Sequence, residues 1–330
     1  MSKLPITLAI SGYHHTDALL TGAVRVEGID LRVLTLPIEE IFFRFTQFRE
    51  WEVSEMSFGK YIALRSRGDD SLVALPVFPS RVFRHSSIFV AADGPSEPAE
   101  LRGARVGIPE WAQTAAVYSR GMLVHQYGVG LDEVTWFQAG VNQPGRKEKV
   151  NLSLPEGVSL TPVPDRSLDE MLLAGDLDAV LSAHPPQSIE ENNPAVRRMF
   201  PDYPKTERDY VANTGIFPIM HVIAIRRDVY QENPWVARNL MTAFEQARDV
   251  AVAQLEEMTA SRIAVPWLAQ TIDSQRELLF GSGPWWPYGV DDNRRTLDAF
   301  TQYAAEQGVA AKRMTPEELF APEAQSAFRI

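Results

Sequence analysis

The 330-residue chain contains no cysteine. Disulfide bonds, thiolate metal sites and cysteine nucleophiles are therefore excluded, and a cytoplasmic protein is expected. All apolar runs stay well short of the ~20 residues that a membrane-spanning helix needs, so we expect no membrane contact. Lysine and arginine form no block and the net charge is -11, which disfavours a nucleic-acid-binding surface. The first apolar run is also too short for a secretory signal and turns polar at Ser11.

Motifs for phosphate, metal and acyl chemistry are missing as well. Gly103 and Gly107 match neither a dinucleotide-binding fingerprint nor a phosphate-binding loop. The sequence contains no His-x-x-x-His, no His-Glu-x-x-His and no Asp-rich loop, so it predicts no metal site. A Gly-x-Ser-x-Gly elbow is absent too. Metal binding therefore has no support in the sequence, although a divalent metal ion stays open.

The chain does contain enough apolar residues for a large core. Hydrophobic residues make up 45% of the sequence, and strand-like apolar runs alternate with helical stretches over residues 4–90. Such alternation predicts an α/β fold with a mainly parallel sheet. The turn-rich segment 93–98 is the first clear linker, which suggests that a second lobe begins after it.

A loop rich in polar groups follows the first predicted strand, Gly12-Tyr13-His14-His15-Thr16. It offers a phenol, two imidazoles and a hydroxyl between a strand and a helix. Small-molecule sites form at the carboxyl edge of an α/β sheet, so this loop is a candidate site. A surface loop that happens to contain histidines is an equally good interpretation.

Charged side chains follow two further predicted strands. Arg81 and Arg84 come after an apolar strand in an acidic protein, and a guanidinium can bind a carboxylate through two parallel hydrogen bonds. Glu55 lies at the end of another apolar strand and is a candidate general acid or base, or the partner that orients a histidine. Surface ion pairs for the arginines, and a helix-capping role for Glu55 shared with Ser57, are the alternatives.

A helix is predicted over 114–127, with Gly128 as its left-handed cap. Its first turn has free N–H groups that would favour a carboxylate or phosphate, and Gln113 and Thr114 could add polar contacts. A plain capped helix start is the alternative.

Three more residues are candidates in later segments of the chain. His184 ends a predicted strand of the second lobe, and an exposed turn histidine is an equal possibility. His221 lies inside an apolar segment, where a hydrogen-bonded structural histidine is the usual explanation. Trp286, in a short aromatic cluster, could form the wall for a planar ligand or belong to the core.

Taken together, these segments resemble the 4,5-dihydroxyphthalate decarboxylase family, nearly from end to end. The resemblance rests on the ordered set Tyr13-His14-His15-Thr16, Val26-Glu27-Gly28-Ile29-Asp30-Leu31, Ser54-Glu55-Met56-Ser57, Pro79-x-Arg81-x-Phe83-Arg84-His85, Gly107-x-Pro109-Glu110-Trp111, Gly215-x-x-Pro218-x-Met220-His221 and Trp286-Pro287-Tyr288-Gly289. That family is similar in fold to type II periplasmic solute-binding proteins, which have two α/β lobes around a ligand cleft. The resemblance implies lobe one from 1–97 and 212–330, and lobe two from 98–211.

The resemblance implies loss of one carboxylate from 4,5-dihydroxyphthalate, without a cofactor, to give 3,4-dihydroxybenzoate and carbon dioxide. The partner would be a small aromatic carboxylate, and we expect a homo-oligomer that binds neither nucleic acid nor membrane. From their chemistry and position, the expected proton-transfer residues are His221, His14, His15 and Glu55. The expected substrate-binding residues are Tyr13, Thr16, Arg81, Arg84, Gln113, Thr114, His184 and Trp286.

Two other classes of function stay open on the sequence. One is a cytoplasmic binding or sensor protein for a small carboxylate, with the same cleft and no chemistry. The other is a different lyase on this fold. The number of candidate proton-transfer residues favours an enzyme.

Overall fold

The computed structural model describes residues 3–257, 259 and 262–325. Its strands are β1 Leu4–Ile10, β2 Ile29–Thr35, β3 Val53–Ser57, β4 Leu72–Leu75, β5 Ile88–Ala91, β6 Arg105–Ile108, β7 Thr135–Gly140, β8 Leu160–Ser167, β9 Ala179–Leu181, β10 Val196–Arg198 and β11 His221–Arg226. Its helices are α1 Asp17–Leu20, α2 Ile38–Phe48, α3 Phe58–Ser66, α4 Thr114–Tyr127, α5 Leu168–Leu173, α6 Gln187–Glu190, α7 Tyr203–Thr214, α8 Arg227–Glu232, α9 Trp235–Glu256, α10 Leu268–Phe280, α11 Arg294–Glu306 and α12 Pro316–Leu319.

The first sheet has the strand order β2-β1-β3-β11-β4. Strand β1 pairs in parallel with β2 and β3, whereas β11 runs antiparallel between β3 and β4. Strands β3 and β4 are buried along their whole length, and β4 is accordingly apolar throughout, whereas β3 carries the buried polar side chains of Ser54, Glu55 and Ser57. Because β11 is antiparallel to β3, its first residue, His221, lies opposite the last residue of β3, Ser57.

The second sheet has the order β10-β5-β9-β6-β7-β8. Strands β9, β6, β7 and β8 are parallel neighbours, and β5 is antiparallel to both β9 and β10. Strand β5 covers Ile88–Ala91, a segment that the predicted lobe boundary at residue 97 assigned to lobe one, yet it pairs within this second sheet. The predicted lobe boundaries otherwise stay a prediction.

The local sequence determines where helix α4 of the second lobe begins and ends. It covers the predicted range and ends at Gly128, whose φ of 65° is the left-handed conformation that glycine adopts without a steric penalty. Gly121 on this helix lies against the ring of Tyr303 on α11, where there is no room for a side chain. Helix α11 is therefore packed closely on α4, although it comes much later in the chain.

One connected set of buried apolar side chains includes residues of both sheets, such as Leu8 on β1 and Val106 on β6. The two lobes are therefore packed on each other and not merely joined by linkers. Within the described residues, no helix combines the length and the apolar character needed to cross a membrane.

Candidate active site

A cavity of about 330 Å³ lies between the two lobes. The first lobe contributes the end of β3, the first turn of α3, the start of β11 and one face of α2. The second lobe contributes residues that follow β6 and β9, the start of α4 and part of the loop after β7. The cavity thus lies at the carboxyl ends of parallel strands, as expected for a ligand site in an α/β fold.

A carboxylate–imidazole pair forms part of the first-lobe wall. The Nδ1 of His221 lies 2.7 Å from Oε1 of Glu55, whose side chain is fully buried, while the His221 side chain is 18% exposed and lines the cavity. With Nδ1–H donated to the carboxylate, Nε2 is the nitrogen left for a ligand. A buried carboxylate in this position also stabilises the imidazolium that forms when Nε2 takes a proton.

Tyr13 and Ser11 complete the surroundings of Glu55. The Tyr13 hydroxyl donates to Oε1 of Glu55 at 2.6 Å, and the backbone N–H of Ser11 donates to Oε2 at 2.9 Å. Burial and the nearby Glu55 charge raise the pKa of the Tyr13 phenol well above its usual range. Tyr13 is therefore a neutral hydrogen-bond donor near His221, and its hydroxyl proton is already used in the hydrogen bond to Glu55.

Arg84 lines the same cavity and is almost fully buried. Its Nη2 and Nε atoms point at the thioether sulfur of Met220, at 2.8 and 3.3 Å, and Nη1 lies 3.5 Å from the hydroxyl of Ser87. Burial lowers the pKa of Arg84 to about 10, so the guanidinium stays charged at neutral pH. A thioether is a weak acceptor, and among the described residues no carboxylate is hydrogen-bonded to this cation, although the charge of Glu207 lies near enough to act on it. Arg84 therefore has the charge and the donors to bind a ligand carboxylate.

The start of α4 lies beside Arg84 on the cavity wall. Thr114 accepts a hydrogen bond from the backbone N–H of Gly59 at 2.9 Å, and its hydroxyl is 2.9 Å from that of Ser57. Gln113 lines the cavity next to it, and its Oε1 has no hydrogen-bond partner among the described residues. The first N–H groups of this 14-residue helix point away from its own carbonyls, so the helix start favours an anion.

A charged cluster that also lines the cavity was not predicted from the sequence. Its centre is Glu110, whose carboxylate is 2.6 Å from Lys60 and 2.7 Å from Arg146, and 3.3 Å from Lys149. Glu148 is a second acidic partner of Lys60. Burial opposes the effect, but Lys60, Lys149 and Arg146 together lower the pKa of Glu110, so it is ionised at neutral pH.

The only sequence signals for this cluster were Glu110 within the motif after β6 and the charge run at 146–149. A charge run in a loop is normally solvated, so its position on a cavity wall follows from the tertiary structure alone.

Several predicted site residues lie away from the cavity. His14 is exposed and bonded to Gln254 at 3.1 Å. His15 is packed between Tyr13 and Trp286, and burial lowers its pKa to about 4. Thr16 donates to the carbonyl of Tyr13 at 3.0 Å. These side chains stabilise the turn after β1. Neither His14 nor His15 lines the cavity, so the expected proton transfer by either of them is not supported by their positions.

Arg81 also lies outside the cavity, although it is as buried as Arg84. Its guanidinium donates to the carbonyl of Pro287 at 2.8 Å and to the side chain of Asn293, and it lies over the ring of Phe217 at 5.6 Å. Trp286 donates from its indole to the carbonyl of Phe78 at 2.9 Å and belongs to the same packed region. Arg81 and Trp286 are therefore structural residues in this arrangement, and Arg84 is the arginine that faces the cavity.

His184 lies at the cavity mouth with 64% of its side chain exposed, and its Nε2 is 3.7 Å from Glu39. Of the six histidines of the chain, His184 and His221 are those that line the cavity. Over 3–257, 259 and 262–325, no group of three or more histidine, aspartate or glutamate side chains is placed to hold a metal ion.

Comparisons with known proteins agree on both family and fold. No protein-family model matches the chain. Over its whole length and the whole length of the relative, the chain is 34% identical to 4,5-dihydroxyphthalate decarboxylase from Comamonas testosteroni. It is also 35% identical to a protein of the same name from Pseudomonas putida, over 61% of this chain and 79% of that one.

Among solved structures, the periplasmic aliphatic sulphonate binding protein SsuA from Escherichia coli has a TM-score of 0.54 at 13% identity, covering 98% of this chain and 99% of that one. The desulfurization enzyme DSZB has a TM-score of 0.51 at 18% identity, covering 98% and 97%. The expected two-lobed periplasmic-binding-protein-like fold is therefore confirmed.

His85, next to Arg84, gives a prediction about stability. Its ring lies within an aromatic cage of Tyr127, Phe200 and Tyr210, and neither ring nitrogen has a hydrogen-bond partner in the described parts of the chain. Burial lowers the pKa of His85 from 6.5 to about 4. Between these two pH values the unfolded chain binds the proton and the folded chain does not, so stability falls as the pH falls.

The free energy of unfolding should fall less in His85→Phe than in the parent between pH 7.5 and pH 5. We expect a difference of roughly 1–2 kcal/mol, because phenylalanine fits the cage and takes up no proton. Urea unfolding at the two pH values measures it. His184→Phe, at an exposed position, is the control for loss of a histidine. An unchanged pH dependence in His85→Phe would contradict the prediction.

Proposed function

Because the chain belongs to the 4,5-dihydroxyphthalate decarboxylase family, we propose that it is a carboxy-lyase that converts 4,5-dihydroxyphthalate to 3,4-dihydroxybenzoate and carbon dioxide. One observation carries the proposal at the level of the site. His221, paired with the buried Glu55, lines a cavity together with a buried arginine, Arg84, which is hydrogen-bonded to no carboxylate of the described residues. A proton acceptor and a carboxylate-binding group are what this reaction requires.

The reaction needs a proton acceptor because the substrate's own phenol supplies the electrons. The leaving carboxylate is para to one hydroxyl, so removal of that hydroxyl proton increases the electron density at the ring carbon that bears the carboxylate. That carbon takes a proton from water, and the bond to the carboxylate then breaks. Its electron pair restores the aromatic ring, and carbon dioxide leaves. One proton is taken up from solvent for each turnover.

His221 is the base in this scheme. Its Nδ1–H donates to Glu55, which leaves the lone pair of Nε2 to accept the phenol proton. Glu55 stabilises the resulting imidazolium, and the Tyr13 hydroxyl and the Ser11 N–H keep Glu55 in place. The imidazolium then returns its proton to the product phenolate. Histidine suits this exchange because its charge changes near neutral pH.

Arg84 holds the carboxylate that stays on the ring. Its guanidinium can exchange the weak contacts to Met220 for two parallel bonds to a carboxylate. The start of α4, with Gln113 and Thr114, adds N–H donors to the same anion. The ring itself would lie against apolar side chains of the cavity wall, among them Ile38, Phe42 and Val82.

We include in the proposal that no organic cofactor or metal ion takes part, since the phenol supplies the electrons that a cofactor would otherwise accept or donate. A cytoplasmic location and a homo-oligomeric state stay predictions from the sequence.

Incubation of the purified protein with 4,5-dihydroxyphthalate tests the activity directly. We expect 3,4-dihydroxybenzoate to form without added cofactor, at a rate that dialysis against a chelator leaves unchanged. Ultraviolet absorbance follows the product, and in deuterated water the product should carry one deuterium at the carbon that lost the carboxylate. Tight binding of the substrate with no product over hours would instead indicate a binding protein.

His221→Asn should lower kcat by about 10²- to 10⁴-fold while KM changes little, because a positioned acid–base group contributes to the transition state and not to ground-state binding. Thermal melting separates this from a folding role: a catalytic His221 predicts a melting temperature near that of the parent. His184→Asn, which changes the other histidine on the cavity wall, should keep parental kcat. Full activity in His221→Asn would refute the scheme.

Arg84→Ala should weaken substrate binding by about 10- to 150-fold, since loss of a hydrogen bond to a charged group costs roughly 1.5–3 kcal/mol. Calorimetry in the His221→Asn background measures the affinity without turnover. Arg84→Lys keeps the charge but loses the planar pair of donors, so it should recover only part of the binding. Parental affinity in Arg84→Ala would place the carboxylate elsewhere.

A further inference from the structure

The cavity contains more cationic side chains than the proposed reaction has used. Lys60, Arg146 and Lys149 all contact the carboxylate of Glu110, which is 2% exposed. Glu148 is the other largely buried carboxylate of this cluster, with 13% of its side chain exposed. Three cations therefore share two largely buried carboxylates and the half-exposed Glu39 at the cavity rim, so the buried part of the cluster has one cation more than it has carboxylates.

Lys149 is the cation with capacity to bind a ligand. Lys60 is bonded to both Glu110 and Glu148, and Arg146 is bonded to Glu110 and, at 3.1 Å, to the half-exposed Glu39 at the cavity rim. Within the part of the chain that the structure describes, the ammonium of Lys149 has one acidic contact, at 3.3 Å, which is the longest of the three to Glu110. Its side chain is one third exposed and lines the cavity. An ammonium has three donors, so most of its bonding capacity is available.

We propose that Lys149 forms a second anion subsite, which binds the carboxylate that leaves as carbon dioxide; this assignment rests on the proposed function. A dihydroxyphthalate carries two carboxylates on neighbouring ring carbons, so a site that selects it needs two cationic groups. The buried guanidinium of Arg84, with its parallel N–H donors, suits the carboxylate that remains on the ring of the product. Lys149 is more exposed and has only a long contact to Glu110, so it suits the carboxylate that leaves as neutral carbon dioxide.

The two subsites make different contributions to the reaction. The leaving carboxylate becomes neutral carbon dioxide, so its attraction to Lys149 weakens on the way to the transition state. An interaction that is stronger in the ground state than in the transition state tightens substrate binding and does not raise kcat. The contact to Arg84 is kept throughout, because the spared carboxylate remains charged. Lys149 should therefore affect the affinity for the substrate but not for the product.

The test compares Lys149→Met with the parent in kcat and KM for 4,5-dihydroxyphthalate, and in the inhibition constant of 3,4-dihydroxybenzoate. We expect KM to rise about 2- to 5-fold, as for loss of a partly exposed ion pair, with kcat unchanged or higher and the product's inhibition constant unchanged. Lys147→Met is the matched control, because Lys147 is an exposed lysine of the same loop that does not line the cavity. Arg84→Ala should weaken substrate and product alike.

An unchanged KM in Lys149→Met would overturn the proposal, and so would an equal loss of affinity for substrate and product. An equal effect of Lys147→Met would also overturn it, since the effect would then come from the charge of the loop as a whole. If the parent protein forms no product, the proposed function fails while the subsite remains testable. Calorimetric affinities for the two compounds then replace KM and the inhibition constant, with the same expected pattern.

Discussion

The buried carboxylate of Glu55 is the constraint on which the arrangement of the first lobe depends. A fully buried charge costs several kcal/mol unless it is hydrogen-bonded and paired. Glu55 meets this requirement with the N–H of Ser11, the hydroxyl of Tyr13 and the imidazole of His221. Three separate segments of the chain are thereby held at one point, and the tautomer and orientation of His221 follow from it.

The contrast between Arg81 and Arg84 shows what turns a buried cation into a binding group. The two guanidinium groups are three residues apart and similarly buried, and burial lowers the pKa of each to about 10. Arg81 is held by a carbonyl, an amide oxygen and aromatic rings, so its position is fully determined by the protein. Arg84 has mainly a thioether as acceptor. The difference lies in the acceptors offered by the surroundings, and it leaves Arg84 for a ligand.

The cavity forms where the backbone of the first lobe packs directly against that of the second lobe. Gly59 at the start of α3 lies against the carbonyl of Ala112, where a side chain would not fit, and its N–H bonds to Thr114. Lys60, one residue later, reaches Glu110 of the second lobe. The same first turn of α3 thus supplies both the close backbone contact and an ion pair between the lobes. Acidic and basic side chains from both lobes are brought to one wall as a result.

The sequence by itself determined the α/β class, the family, the helix over 114–127 with its glycine cap, and the candidates Glu55, Arg84, Gln113, Thr114 and His221 that the structure brings together around one cavity. Candidates such as Glu55 and Arg84 could be proposed because a polar residue at or after the end of an apolar strand is expected near a sheet edge, and their roles in the site stay predictions. Only the tertiary structure decided that His14, His15, Thr16, Arg81 and Trp286 lie elsewhere and that Lys60, Glu110, Arg146 and Lys149 form a cavity wall. Side-chain direction and pairing depend on contacts between residues that are far apart in the sequence, from 36 positions for Arg146 and Glu110 to 206 for Arg81 and Pro287, and local sequence patterns carry no information about those contacts.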